Sequence, residues 1–103
     1  MDYKMEVTKE ATAELENIMN YISESLAAPK AAQSFYDDFM ACCNNILNNP
    51  YMYAACEFLP LKAGKYRKAV IKNYLMFYKV DEETTTICVY RLLYGRRNYT
   101  DLL

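Results

Sequence analysis

Beyond Thr8 the hydrophobic period of this chain switches after Pro50 from helical spacing to alternation, and few folds accommodate that order. Before the switch, Ala11, Leu15, Ile18, Ile22 and Leu26 recur at spacings of 4, 3, 4 and 4, one face of a helix over 9–26. Thr8 stands at the N-cap position, where a hydroxyl can accept from an otherwise unpartnered backbone N–H. Ala27-Ala28-Pro29 interrupts the pattern, and Pro29 suits the first turn of a second helix over 30–47. Ala32, Phe35, Phe39, Cys42 and Ile46 form its stripe, and Asn48-Asn49-Pro50 ends it. After Pro50 come three β-branched and aromatic segments: Tyr66–Ile71, Tyr74–Val80 and Thr84–Tyr94, separated by Lys72-Asn73 and Asp81-Glu82-Glu83. In the third, Ile87, Val89, Arg91 and Leu93 alternate with Thr86, Cys88, Tyr90 and Leu92. A short alternating stretch, Tyr3–Val7, precedes everything. The expected fold is α+β with the order β-α-α-β-β-β, a helical hairpin packed on one face of a small antiparallel sheet.

A chain of 103 residues supports one domain, here 1–103, with one core. Histidine is absent, which excludes a Ser-His-Asp triad, a Cys-His pair and any His-ligated metal within the chain. With Gly64 and Gly95 as the only glycines, no phosphate-cradling glycine loop can be written. Cys42, Cys43, Cys56 and Cys88 form no C-x-x-C pair, and adjacent Cys42 and Cys43 diverge on a helix; they read as buried free thiols in a reducing cytoplasm, with no metal and no cofactor. The charged start, Met1-Asp2-Tyr3-Lys4-Met5-Glu6, does not read as a signal peptide, and no stretch is long and apolar enough for a membrane span.

A net charge of −1 conceals an asymmetry: residues 1–61 sum to −6 and residues 62–103 to +5. The basic residues of the second part are interleaved with tyrosines, Lys62, Lys65, Tyr66, Arg67 and Lys68 first, then Arg91, Tyr94, Arg96, Arg97 and Tyr99. Cations and aromatic rings on one face suit phosphates and unpaired bases, or an acidic protein segment. Arg67, Arg91, Tyr94, Arg96, Arg97 and Tyr99 are therefore the expected target- or partner-binding residues. RNA cleavage through the 2′-hydroxyl would need a base, an acid and a cationic clamp. Glu57, Lys65 or Lys68 could serve as base, Tyr99 as acid, and an arginine as clamp.

The hairpin from Ala11 to Ile22, with Ala31-Ala32, Phe35, Ile46-Leu47 and Pro50, resembles the N-terminal half of RelE/ParE-family toxins. Asn73-Tyr74-Leu75-Met76-Phe77-Tyr78-Lys79-Val80 is similar to the family's central strand. Arg91-Leu92-Leu93-Tyr94-Gly95-Arg96-Arg97-Asn98-Tyr99 is similar to its Arg-hydrophobic-hydrophobic-His-Gly-Arg-Arg-Asp ending, with Tyr94 in place of histidine. The resemblance implies a toxin of a type II toxin–antitoxin module, neutralised by a cognate antitoxin. RelE-like members cut mRNA on the ribosome, whereas ParE-like members inhibit DNA gyrase by binding. The nuclease members place an arginine directly after the aromatic of the central strand, and here Leu75 comes after Tyr74. That departure favours the ParE-like branch with gyrase as target. The alternatives are an mRNA endonuclease using Glu57, Lys65, Arg67, Arg97 and Tyr99, and a non-toxic member that only binds an antitoxin.

Overall fold

The computed structural model describes residues 2–57, 62 and 64–95. The elements are β1 (Lys4–Val7), α1 (Lys9–Asn20), α2 (Pro29–Asn48), β2 (Arg67–Ile71), β3 (Tyr74–Asp81) and β4 (Thr86–Tyr94). This is the β-α-α-β-β-β order read from the period switch. Thr8 caps α1 as expected: its hydroxyl accepts from the Ala11 N–H at 3.1 Å and donates to the Tyr90 carbonyl at 2.7 Å, tying the helix start to β4.

β2, β3 and β4 form the antiparallel meander, but the sheet as a whole is mixed. Its order is β1-β4-β3-β2, with β1 running parallel to β4 from Lys4 opposite Thr86 to Val7 opposite Val89. Parallel neighbours need a long crossover, and the helical hairpin with the rest of the meander supplies it. The expectation of a fully antiparallel sheet is thus corrected at its first strand.

The first helix differs from its expected extent. After Asn20 the chain widens into a π-turn over Tyr21–Ser25, then passes through Ala27 at φ 49°. An i→i+5 turn rotates the residues beyond it, so Leu26, expected on the apolar stripe, is 56% exposed. The rest of the hairpin buries its stripe. Ala11, Ile18, Phe35, Phe39, Cys42 and Ile46 pack on Ala69, Ile71, Met76, Tyr78, Ile87, Val89 and Leu92, and Leu15 is partly buried against them. Each fully buried large side chain contributes roughly 1.5–3 kcal/mol.

A β-bulge redistributes β4. Val89 lies opposite Tyr78 but Arg91 lies opposite Phe77, so Tyr90 is an extra residue. Side-chain parity inverts there. Leu92 joins the core under the helices, while Leu93, expected on the same face as Ile87 and Val89, packs with Phe77 and Cys56 on the opposite face. At the end of β4, the Gly95 N–H donates to the Asn73 carbonyl at 2.8 Å; a Cβ there would meet that oxygen at 3.0 Å.

The β3–β4 turn is held by Asp81, whose carboxylate accepts from the Glu83 and Thr84 N–H groups at 3.0 and 3.3 Å. It closes through Thr85 at φ 47°, a conformation that β-branched residues adopt at a cost. Thr85→Asn is expected to raise stability by roughly 0.5–1 kcal/mol, read as a melting temperature a few degrees higher. A lower melting temperature would show that the Thr85 hydroxyl, donating to the Thr84 carbonyl at 2.8 Å, outweighs the backbone strain.

Among the described residues no helix is long and apolar enough to cross a membrane. The four thiols are free, three buried and Cys88 half-buried, and burial pushes Cys43 up to about 12.

Candidate functional site: a strapped cleft at one end of the sheet

The chain leaving α2 crosses the end of the sheet before entering β2, and side chains from both partners fasten it. The Tyr78 hydroxyl donates to the Pro50 carbonyl at 2.9 Å, and burial pushes that phenol up to about 12. Arg67 donates to the Tyr53 carbonyl at 2.6 Å and lies 4.8 Å from the centre of the Tyr51 ring. The strap then pairs with the β2 edge: the Lys68 N–H donates to the Ala54 carbonyl at 3.3 Å and the Cys56 N–H to the Tyr66 carbonyl at 2.9 Å. Across the opening, Glu82 accepts from the Tyr51 hydroxyl and from the Tyr3 hydroxyl at 3.0 Å. Hydrogen bonding to that carboxylate favours the neutral phenol and pushes Tyr51 up to about 12.

Beside the strap lies a cleft of about 600 Å³. Lys62, Lys65, Arg67 and Lys79 bring positive charge to it, and Asp81, Glu82 and Glu83 line the other side. On the sheet face away from the helices, Tyr66 and Tyr90 stack at 4.8 Å with planes tilted by 31°, and the Lys79 ammonium lies 5.5 Å from the Tyr66 ring centre. Tyr90 follows Val89, which faces the helices, so alternation alone places it on this outer face. The cleft thus offers cations, carboxylates and the Tyr66 ring, suited to holding a polar or charged group.

The expected binding residues do not converge on one face. Arg67 and Arg91 lie opposite Tyr78 and Phe77, consecutive residues on β3, so they occupy opposite sides of the sheet. Arg67 is absorbed by the strap. Arg91 pairs with Glu14 of α1 through Nη2 at 2.7 Å and Nε at 3.0 Å, with only about a fifth of each side chain exposed (20% and 19%). That bond raises the Arg91 pKa further. The Tyr94 ring lies 5.5 Å from Tyr74, which in turn meets Phe35 of α2, so it sits on the helix side and away from the cleft. Lys65 lines the cleft at φ 62°, whereas Glu57 is exposed and not among the described residues that line it. Lys68 is exposed on the outer face of β2. Arg96, Arg97 and Tyr99 lie outside the described residues.

Three participants escape sequence reasoning: Glu82, Tyr51 and Glu14. Periodicity identifies elements and not the side chains that join them. The acidic turn at Asp81-Glu82-Glu83 reads as solvated, and Glu14 falls on the polar side of its helix.

The model of the ParE toxin of type II toxin–antitoxin systems matches residues 5–99. The chain belongs to the ParE toxin family. Solved structures share the fold at low identity. A chain of the chromosomal ParDE toxin–antitoxin system from P. aeruginosa is 16% identical with a TM-score of 0.70, covering 89% of this chain and 95% of its own. A chain of the archaeal RelE–RelB complex from Pyrococcus horikoshii OT3 is 18% identical with a TM-score of 0.64, covering 94% and 99%. One from the toxin–antitoxin complex RelBE2 of Mycobacterium tuberculosis is 16% identical with a TM-score of 0.63, covering 91% and 99%. No curated protein sequence matches this one significantly. For this ParE family member, the residue directly after the central-strand aromatic is half-buried: Leu75, paired with Val70 and Leu93, packs on the apolar cluster of Cys56, Phe77 and Leu93.

Proposed function

We propose that this ParE family toxin acts by binding DNA gyrase and is held inactive by a cognate antitoxin. The observation that carries the reading is Leu75, an apolar side chain committed to packing at the place where nuclease members of the wider family put an arginine. The engagement of Arg91 by Glu14 and of Arg67 by the strap supports the same reading, since each guanidinium already has a carboxylate or carbonyl partner. The RelE-like alternative draws on the cleft, where Lys65 and Lys79 stand beside the Tyr66 ring. An antitoxin partner is supported by structural neighbours solved as toxin–antitoxin complexes.

The test is a gyrase supercoiling assay on relaxed plasmid. The purified chain is expected to inhibit at micromolar or lower concentration, and an equimolar antitoxin encoded beside it should restore supercoiling. Full supercoiling at a large molar excess of folded toxin would remove gyrase as the target. Replacing Arg96 and Arg97 together by Ala is the accompanying variant. Inhibition should weaken while folding, read by circular dichroism, holds.

A further inference from the structure

The two edges of the sheet are treated differently. The β2 edge is paired with Ala54 and Cys56 of the strap. Among the described residues the β1 edge is bare. Lys4 donates its N–H to Thr85, just before β4, and Thr8 donates to Val89 of β4, so Lys4 and Glu6 turn their backbone groups inward. By alternation, the N–H and carbonyl groups of Tyr3, Met5 and Val7 point outward, and among the described residues no strand covers them. Val7 is 41% exposed and sits at the end of this edge.

The side chains on the strand are self-complementary. Met5 packs into the core, while Lys4 and Glu6 are exposed and make no ion pair among the described residues. Antiparallel pairing of β1 with β1 of a second copy, about a two-fold axis through Met5, places Lys4 opposite Glu6 of the partner subunit and the reverse. Met5 is one of the outward-bonding residues, so the centre falls on a hydrogen-bonded pair. Tyr3 then exchanges bonds with Val7 of the partner subunit on each side, giving about six backbone hydrogen bonds. The charged residues fall at the non-hydrogen-bonded positions between, where opposed side chains approach most closely. Hydrogen-bond parity and charge order agree on one register.

We propose that the free toxin self-associates through this edge, β1 against β1, into a two-fold dimer with one continuous eight-stranded sheet. One short strand from each chain is a small interface, so the dimer is of the transient class and forms with rising concentration. It gives an open edge a specific, closed partner in place of open-ended strand addition.

Sedimentation velocity on the purified chain from about 1 µM to about 1 mM tests this. The expected result is a concentration-dependent shift from monomer to dimer. Lys4→Glu and Glu6→Lys each put like charges opposite one another across the axis. Each variant alone should remain monomeric at concentrations where the wild type dimerises, with an unchanged circular dichroism spectrum. An equimolar mixture of the two variants restores opposite charges at both positions, so it should recover the dimer as a heterodimer. A wild type that stays monomeric throughout leaves the edge to some other protein and overturns the proposal. So does a dimer that survives in both single variants, or a mixture that fails to recover it.

Discussion

Messenger RNA on translating ribosomes is expected to stay intact when this protein is added. Cleavage through the 2′-hydroxyl develops negative charge on the scissile phosphate, and a preorganised donor must meet it. Leu75 brings none, being packed with Phe77 and Leu93. The loss of one such donor slows a step of this kind by roughly 100- to 1000-fold. Arg91 does not replace it, because moving its guanidinium would strip Glu14 of its ion-pair partner at 2.7 Å. Toeprinting or primer extension on a translated message reads the result directly. Codon-positioned cuts that vanish in Glu57→Ala or Arg97→Ala would overturn the gyrase reading and restore the nuclease.

Glu14→Ala should be among the most destabilising changes outside the hydrophobic core. β1 ends at Val7, so among the described residues the edge of β4 beyond Val89 has no strand beside it on that side. Glu14 takes over: one carboxylate oxygen accepts from the Leu92 N–H at 3.0 Å, and the carboxylate also holds Arg91 in two-pronged contact. Removing it leaves a strand N–H and a largely covered guanidinium without that acceptor. Charge-assisted bonds contribute about 1.5–3 kcal/mol and broken buried pairs cost about 3–5. With a fifth of each side chain in water, a loss of about 2–3 kcal/mol is expected, a fall of roughly 10–20 °C in melting temperature. Glu14→Gln retains one acceptor and should lose less. In a double-mutant cycle with Arg91→Ala, the paired loss should fall short of the sum of the single losses. Strict additivity would mean that the pair contributes nothing beyond its separate contacts.

The parts of the fold that are legible in the sequence rest on local rules. Helical spacing locates both helices and period two locates all four strands. The Thr8 cap is visible because capping depends on residues three apart. The illegible parts are non-local. Nothing in Tyr3–Val7 says that its neighbour is Thr86–Tyr94 or that the two run parallel. The inserted Tyr90 leaves the alternation of β4 outwardly unbroken, yet it exchanges the roles of Leu92 and Leu93. The π-turn that exposes Leu26 has no signature that distinguishes it from a continued apolar stripe. At the site, the interleaving of tyrosines with cations is a real pattern, and Lys65, Tyr66 and Arg67 do meet at the cleft. Its assignment to one face fails because Arg67 and Arg91 answer to neighbours of opposite parity on β3.

The parallel pairing of the first strand with the last also governs when this protein can exist as a folded object. Thr8 and Tyr90, bonded to each other, are separated by 82 residues, and β4 sits in the interior of the sheet between β1 and β3. On a ribosome, neither the sheet nor the core beneath the hairpin can close until β4 has emerged. The helical hairpin must wait with its apolar stripe unsatisfied. A toxin assembled this way has no native precursor during its own synthesis. Folding comes as a single late event, which gives a partner present at the exit tunnel an interval in which to meet the chain first.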